Sequence, residues 1–572
     1  MCCIRTPDCS KLQAMQIHME SLFKRLRVTG ALLLCSTGLI VGVQDTKGRD
    51  LRNGWEIHRE LEIAPGAQAA VKDFFPSFLE YQDMVMFHPK FGYYSSGRVS
   101  FTNDYQTFPI VLAPLFGHMV AEQMFHMWEG MRAAGTLGER EQFTIAEFGP
   151  GDGAMAESIL DYIDEKSKGT DPRWRQFSDQ VLYICYDRSP ALNDIQRERN
   201  KRFGTRFAAR VADATSPTAT IAPGSLKGVV LSNELPDAFS VHKLILSPSG
   251  AAEVAFVIPT LSGRDWQTIQ PLLPAQLAKT IEDNDVAVEK RFFTGTAEAT
   301  MYLTRSSLIS LLENLVSRKE YETSANALQF QEVFVPVSVF PELSAHLQRY
   351  APVFAGVLAR NPRGLVTYVN LGAESFIQGT AQVLKSGYVL TIDYGSTWNG
   401  ILADDTAHLR TYGPVHREAN VSTLLDGGAT PQEVSTSNPY LGPTLNDMTT
   451  DVNFSLLSAV GQLAGLKPIY FGSQRALQTG SGITLDKAPV DNRGNLISEK
   501  FYQWASDFVN PGVYKVFVQQ KVGTDDKYVY PDTQPESLGL DPSSLTETER
   551  LRAAEIEKRL AGIYAPATAP AR

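Results

Sequence analysis

Apolar residues recur along the chain on two different periods, and the switch between them divides it. From about 67 to 130 the spacing is helical, with Ala70, Phe74, Phe78 and Tyr81 on one face. The turn-rich stretch HPKFGYYSSGRVSFTNDYQTFP follows, and then a second amphipathic helix is expected to end near Trp128. From 143 onward short β-rich runs alternate with helical stretches: FTIAEFG (143–149), QVLYICYD (180–187), TRFAARVAD (205–213), GVVLSNE (228–234) and, after a long interval, GYVLTIDYG (387–395). KPIYFG (467–472) and VYKVFVQQKV (513–522) add two more. Apolar strands separated by helices predict an α/β fold with a mostly parallel, seven-stranded sheet buried on both faces.

The interval from about 240 to 365 is too long for one crossover. It opens with a hairpin pattern, VHKLILSPSGAAEVAFVI, and continues through helical SSLISLLENLVSRKE, so it predicts an inserted α+β subdomain. Near the end, the helix FSLLSAVGQLAG is stopped by Gly465, and a last helix over about 545–560 is expected to start at a capping box of Ser544 and Glu547, before an Ala/Pro tail expected to be disordered. The predicted division is 1–45 (targeting or anchor segment), 46–135 (N-terminal helical cap), 136–245 and 366–525 (two halves of the core), 246–365 (insertion) and 526–572 (C-terminal helix and tail).

Composition narrows the class. With 572 residues, 43% hydrophobic and 20% charged, the chain exceeds the usual size of a single core and has no signature of disorder. Lys+Arg 53 against Asp+Glu 63 gives a net charge of -10, the wrong balance for gripping nucleic acid through phosphates. Cys2, Cys3, Cys9 and Cys35 crowd the start, leaving Cys185 alone in the body, which excludes a disulfide framework or a zinc site of paired cysteines there. Residues 28–43 (VTGALLLCSTGLIVGV) are apolar and uncharged behind Lys24, Arg25 and Arg27. They fit a presequence, a weak membrane anchor or an export signal, and are short for a span of about 20 residues.

The richest chemistry lies in FTIAEFGPGDG (143–153). A buried strand ends at Glu147, and Gly149, Gly151 and Gly153 then bring backbone close to a ligand before a helix starts near Ala154. The glycine spacing is GxGxG, with proline inside, which disfavours a dinucleotide pyrophosphate and suits S-adenosylmethionine; a tight strand-to-helix turn by itself also needs glycine. QVLYICYD ends in Asp187, placed to accept from both ribose hydroxyls, although a solvent-facing strand-end acid has the same pattern. TRFAARVAD ends in Asp213, which either accepts from the adenine amino group or caps a helix. Three successive strand ends of this kind support one another. The fourth strand runs into SNELPDAFSVHK, where Asn233, Glu234 and Asp237 would face the methyl acceptor. Two carboxylates there would align a cationic guanidinium and take its proton, and with Leu235 and Pro236 in place of an aromatic platform a base substrate is disfavoured. Turn-forming Asn233 and Asp237 with a capping Glu234 is the structural alternative.

Taken together, FTIAEFGPGDG, YICYDRSPALNDIQ, SNELPDAFSVHK, HPKFGYY, IDYG and TTDVNF resemble the methyltransferase family of the mitochondrial complex I assembly factor and its bacterial and mould relatives called MidA, over roughly 67–243 and 365–520. The resemblance implies a class I S-adenosylmethionine-dependent methyltransferase fold. In the mitochondrial members it implies symmetric dimethylation of an arginine on a complex I core subunit. Residue by residue, it puts cofactor binding on Glu147, Gly149, Gly151, Gly153 and Asp187, and the acceptor motif on Asn233, Glu234 and Asp237. It matches Asp393, Tyr394 and Gly395 to the strand-end IDYG, and Gly92, Tyr93, Tyr94 and Asp104 to the region covering the cofactor pocket. LRTYGPVHRE resembles the family's loop at Arg410, Tyr412 and His416, taken as a polar wall of the substrate cleft. Leu235, Pro236 and Asn103 depart from the family pattern. A protein substrate carrying an arginine and a location in the cell interior, cytoplasm or mitochondrial matrix, are the resulting expectations; a non-catalytic assembly protein or a small-molecule methyltransferase are the rivals.

Overall fold

The computed structural model describes residues 64–562 except 65, 97–106, 294–299, 362, 404–407, 413–437, 441, 491–493, 510–513, 524–537 and 539–544. Seven long strands form the main sheet: β1 (Phe143–Phe148), β2 (Val181–Asp187), β3 (Phe207–Val211), β4 (Leu226–Asn233), β5 (Leu384–Ser396), β6 (Leu466–Ser473) and β7 (Tyr514–Lys521). Their spatial order is β3-β2-β1-β4-β5-β7-β6, and the two-residue strand Val452–Asn453 pairs with the end of β5. β1 to β5 run parallel, while β7 is antiparallel to both β5 and β6.

The continuous apolar character of these strands follows from burial of both faces. Ala146, Phe148, Ile184 and Val230 belong to one core, and Phe143, Ile145, Tyr183, Val229 and Leu231 to the other. The second core is closed by the helix Leu115–Ala134, which lies on the sheet itself and continues past the expected end at Trp128 to a left-handed stop at Gly135. The first core is shared with the insertion, whose Leu244, Val254 and Phe256 belong to it, so that subdomain has no separate interior.

The insertion carries a five-stranded antiparallel sheet. Its long strand Ala252–Ser262 pairs with Gln329–Pro336 along one edge and with His242–Leu246 and Thr300–Tyr302 along the other. The first and last strands, His242–Leu246 and Leu365–Val369, are themselves paired. The chain therefore leaves and rejoins the core at neighbouring points, and Asn370 at the return donates to the Pro236 carbonyl at 2.8 Å. The insertion is thereby fastened to the loop that follows β4.

Two helix starts differ from expectation. The run through Ala70, Phe74, Phe78 and Tyr81 is broken at Pro76, which cannot donate to a helix interior, and restarts as Phe78–Phe87 behind a capping box of Ser77 and Glu80. At the C-terminus the box is Thr546 with Glu549, two residues later than Ser544 with Glu547, and it opens Glu547–Gly562. Both patterns satisfy the S/T-x-x-E spacing, and packing of Ile556 and Leu560 into the core selects the later one. Among the described residues no helix is long and apolar enough to cross a membrane; the run 28–43 lies outside them.

Helix Phe78–Phe87 supplies Leu79, Asp83 and Phe87 to a large cavity at the sheet edge, so its cap matters for that wall. Ser77→Ala is expected to lower the free energy of denaturant unfolding by about 1 kcal/mol, with Ser77→Thr restoring most of it. Equal midpoints for wild type and Ser77→Ala would remove this cap from the stability of the fold.

Candidate active site

The carboxyl ends of β1, β2 and β4 open onto two adjoining cavities where the strand order reverses between β1 and β4, the place in open α/β sheets where ligands sit. The larger, about 450 Å³, is lined by Asp187, Arg188, Asp213, Leu235 and Phe239 among others. The smaller, about 210 Å³, is lined by Glu147, Asn233, Glu234, Asp237, Asp447 and a set of aromatic rings. Tyr94, Gly149, Gly151, Glu234 and Ala238 line both.

The glycine turn is shaped by close approach. At Gly149, φ is 68° and an added Cβ would stand 2.8 Å from Leu235 Cδ1, so the residue that replaces an aromatic platform instead packs against the turn. Gly153, also at positive φ, lines neither cavity. An added Cβ there would meet Asn200 Nδ2 at 2.9 Å, so this glycine lets helix Ala154–Ser167 pack against helix Pro190–Asn200.

On the larger cavity, Asp187 is held by the Ser189 amide at 2.8 Å and by Gln196 at 3.4 Å. Burial lifts its carboxyl to about 6 in spite of these donors. Asp213 lies two residues past the end of β3; its Oδ1 accepts from the Thr215 amide and hydroxyl at 2.8 and 2.7 Å, and its Oδ2 is 3.7 Å from Arg188 Nε. It is therefore both a turn former and part of the cavity wall. Arg188 also pairs with Asp83 at 2.9 Å and lies over the Phe87 ring, joining the cavity wall to helix Phe78–Phe87.

The smaller chamber is unusual in charge. Glu147, Asp152, Glu234, Asp237 and Asp447 line it and, among the described residues, no Lys, Arg or His does. Asp152 is answered from outside by Arg199 at 2.6 Å, and Glu147 accepts from the Tyr183 hydroxyl at 2.7 Å, yet burial still lifts Glu147 to about 7. Glu234 sits at the end of β4 with φ 48°, a left-handed conformation costing on the order of 1–2 kcal/mol for a residue with a side chain, and its amide donates to the Ile392 carbonyl at 2.9 Å. Burial, reinforced by the Asp237 charge, pushes its carboxyl up to about 8. Asp237 is 2% exposed, and burial pushes it to about 6. Its Oδ1 has no hydrogen-bond partner among the described residues. A buried, desolvated carboxylate oxygen left this way is an acceptor waiting for a donor.

The expected cleft residues separate into two groups. Tyr394 lines the chamber, but Asp393 does not: neighbouring side chains in β5 point to opposite faces, and the Asp393 carboxylate lies behind Asp237, accepting from the amides of Asp237 at 3.3 Å and Tyr394 at 2.8 Å. Burial first, then the Asp237 and Glu234 charges, hold Asp393 well above the usual carboxylate range. Tyr94 lines the chamber with its hydroxyl 3.0 Å from Asp447, whereas Tyr93 is buried and lines neither cavity. Tyr412 is in the wall, while Arg410 lies outside it, over the Tyr394 ring and paired with Asp451 at 2.5 Å. Asp104 and His416 lie outside the described residues. Asp447, Trp504 and Tyr514 were not singled out in the sequence. They come from a short ribbon and two late elements whose meeting depends on the tertiary fold.

The turn and strand-end acids around the larger cavity form a site of the kind in which α/β enzymes seat a nucleotide-type cofactor. The matching family model, described as "Putative S-adenosyl-L-methionine-dependent methyltransferase", covers residues 119–472. The chain belongs to this family: it is an S-adenosylmethionine-dependent methyltransferase, and S-adenosylmethionine is its cofactor. Among solved structures, it is similar to one from Burkholderia thailandensis described as a "likely methyl transferase" and bound to S-adenosyl-homocysteine (19% identity, 80% of this chain and 90% of that one, TM-score 0.48). A native structure of a Burkholderia thailandensis protein follows (18%, 81% and 91%, TM-score 0.47), as does one described as a "putative sarcosine dimethylglycine methyltransferase" from Galdieria sulphuraria (9%, 69% and 84%, TM-score 0.25). No curated protein matches.

The raised carboxyls have a measurable sign. Glu234 ionises near 4.5 when unfolded and near 8 when folded, so the folded state loses stability as pH rises between those values, by at most about 1.4 kcal/mol per pH unit for one group. Glu234→Gln is expected to flatten the fall in thermal midpoint between pH 5 and 8; the same slope in both proteins would contradict its buried, protonated state.

Proposed function

We propose that this methyltransferase has the class I fold and transfers methyl groups to the guanidinium of an arginine in a protein substrate. The observation that carries the reading is the chamber itself: among the described residues, Glu234, Asp237 and Asp447 line it without a cation, and one buried Asp237 oxygen has no donor. A guanidinium brings donors in a plane and a permanent positive charge, which offsets the desolvation of such carboxylates. Tyr94, Tyr394, Tyr412, Tyr514 and Trp504 line the same chamber, and aromatic faces favour that cation.

The chain's residues also fit the cofactor. The larger cavity sets Asp187 and Asp213 beside the glycine turn, as acceptors for ribose hydroxyls and an adenine amino group, and joins the chamber along Gly149 and Gly151. When bound, S-adenosylmethionine supplies an electrophilic methyl group for in-line displacement. Asn233, Glu234 and Asp237 orient the acceptor; Glu234, protonated in the empty chamber, is ionised once the guanidinium charge lies beside it, and that carboxylate takes the proton the acceptor nitrogen gives up. Asp393 acts through Asp237, whose amide it holds.

A protein substrate of the complex I assembly type is the acceptor we favour, in keeping with the motifs shared with that family. We place the enzyme in the cell interior, matrix or cytoplasm, where this cofactor is available.

Mass spectrometry of methylated arginines in cells with and without the protein identifies the acceptor. With that acceptor, Glu234→Gln is expected to lower methyl transfer by about 10²–10⁴-fold. Asp187→Ala is expected to weaken S-adenosylhomocysteine binding, with much of the rate recovered at saturating cofactor. Equal labelling by wild type and Glu234→Gln would take Glu234 out of the chemistry, and no change in arginine methylation would remove the arginine reading.

A further inference from the structure

The strand end at β4 supplies two of the chamber's carboxylates, Glu234 and Asp237, from a single loop. Asp447 arrives from elsewhere. It opens the strand Asp447–Thr450, which forms a two-stranded ribbon with Leu409–Tyr412, and it is 2% exposed. Its Oδ1 accepts from the Tyr94 hydroxyl at 3.0 Å and from the Met448 amide of its own strand at 2.8 Å, so Tyr94 is the donor from elsewhere in the fold that fixes the carboxylate. The ribbon is anchored in turn: Gln82 donates to the Met448 carbonyl at 3.3 Å and accepts from the Val241 amide at 3.0 Å, tying helix Phe78–Phe87, the ribbon and the loop after β4 together. Asp447 is close enough for its charge to act on Glu234.

Resting on the guanidinium reading above, we propose that Asp447 is the residue that makes this chamber select a guanidinium over an ammonium. An ammonium is a compact, strongly hydrated point charge with three donors on one atom, which the carboxylates at the end of β4 can meet from one side. A guanidinium spreads five donors around a plane, and two carboxylates from one loop cover only part of that perimeter. A third carboxylate, carried by a different element and locked by Tyr94, meets an edge that Glu234 and Asp237 leave open. It also restrains the plane against rotation about its own axis, which an in-line transfer to one chosen nitrogen requires.

The test uses the full-length protein saturated with S-adenosylhomocysteine and titrated by calorimetry with butylguanidinium, butylammonium and neutral butylurea. Wild type is expected to prefer butylguanidinium. Asp447→Asn is expected to weaken it by at least about tenfold while changing butylammonium far less, with Asp447→Glu recovering part of the loss. S-adenosylhomocysteine affinity reports the integrity of the fold, because Asp447 does not line the larger cavity. An intact guanidinium preference in Asp447→Asn overturns the assignment and leaves the arginine reading standing. A wild-type protein that binds S-adenosylhomocysteine and no guanidinium overturns both. Should Asp447→Asn also lose S-adenosylhomocysteine, Asp447→Ser is read instead; it removes the carboxylate within a smaller side chain, and an intact guanidinium preference there overturns the assignment equally.

Discussion

Desolvated carboxylates gathered at one end of a mostly parallel sheet are the constraint around which the rest of this molecule is arranged. Glu234, Asp237 and Asp393 are all pushed upward in pKa, and in each case burial is the largest cause. A charge moved out of water costs several kcal/mol unless it is paired or neutralised, so such a group persists only as a protonated acid or as the partner of a cation brought from outside. Arg410, the basic side chain over the Tyr394 ring, is already engaged with Asp451, so it does not neutralise them. The left-handed backbone at Glu234 is a second cost borne at the same place, and such strain persists where surrounding structure over-determines it.

That surrounding structure is assembled from distant parts of the sequence. Parallel pairing of β1, β2, β4 and β5 brings Phe148, Asp187, Asn233 and Ile392 to one edge, and the register of Asn233 opposite Ile392 explains why the next amide, that of Glu234, reaches the Ile392 carbonyl. The insertion closes the arrangement from behind. Because its first and last strands pair with each other, more than a hundred residues fit between β4 and the helix before β5 without opening the sheet, and Asn370 then returns to hold Pro236. Gln82 makes a comparable tie from the N-terminal side.

Much of this was legible in the sequence, for definite physical reasons. Strands buried on both faces write continuous apolar runs, and all seven were visible with ends displaced by only a few residues. The glycine turn and the acids of Asp187 and Glu234 were visible because close backbone approach and strand-end carboxylates leave local marks. Features that depend on side-chain direction were not. Tyr93 and Tyr94 are equivalent in sequence, yet only Tyr94 reaches the chamber; Asp393 and Tyr394 divide between the two faces of β5; and Gly153 serves helix packing although it completes the glycine motif. Asp447 was missed because nothing local distinguishes it. Its significance comes from Tyr94, some 353 positions away in sequence, and from the ribbon that presents it.

The two cavities are not independent sites. Glu234 and Tyr94 belong to both walls, and Gly149 and Gly151 form the seam between them. A ligand that orders Tyr94 from the cofactor side therefore also fixes the hydroxyl that holds Asp447, and one that alters the surroundings of Glu234 changes a carboxyl poised near 8, close enough to neutrality for either protonation state to be reached. Tyr94 and Glu234 are thus the side chains through which the two cavities meet. On the reading proposed above, a chamber of carboxylates that is costly when empty shares its wall with the cavity for the methyl donor, so that the geometry for a cationic acceptor is completed where that donor binds.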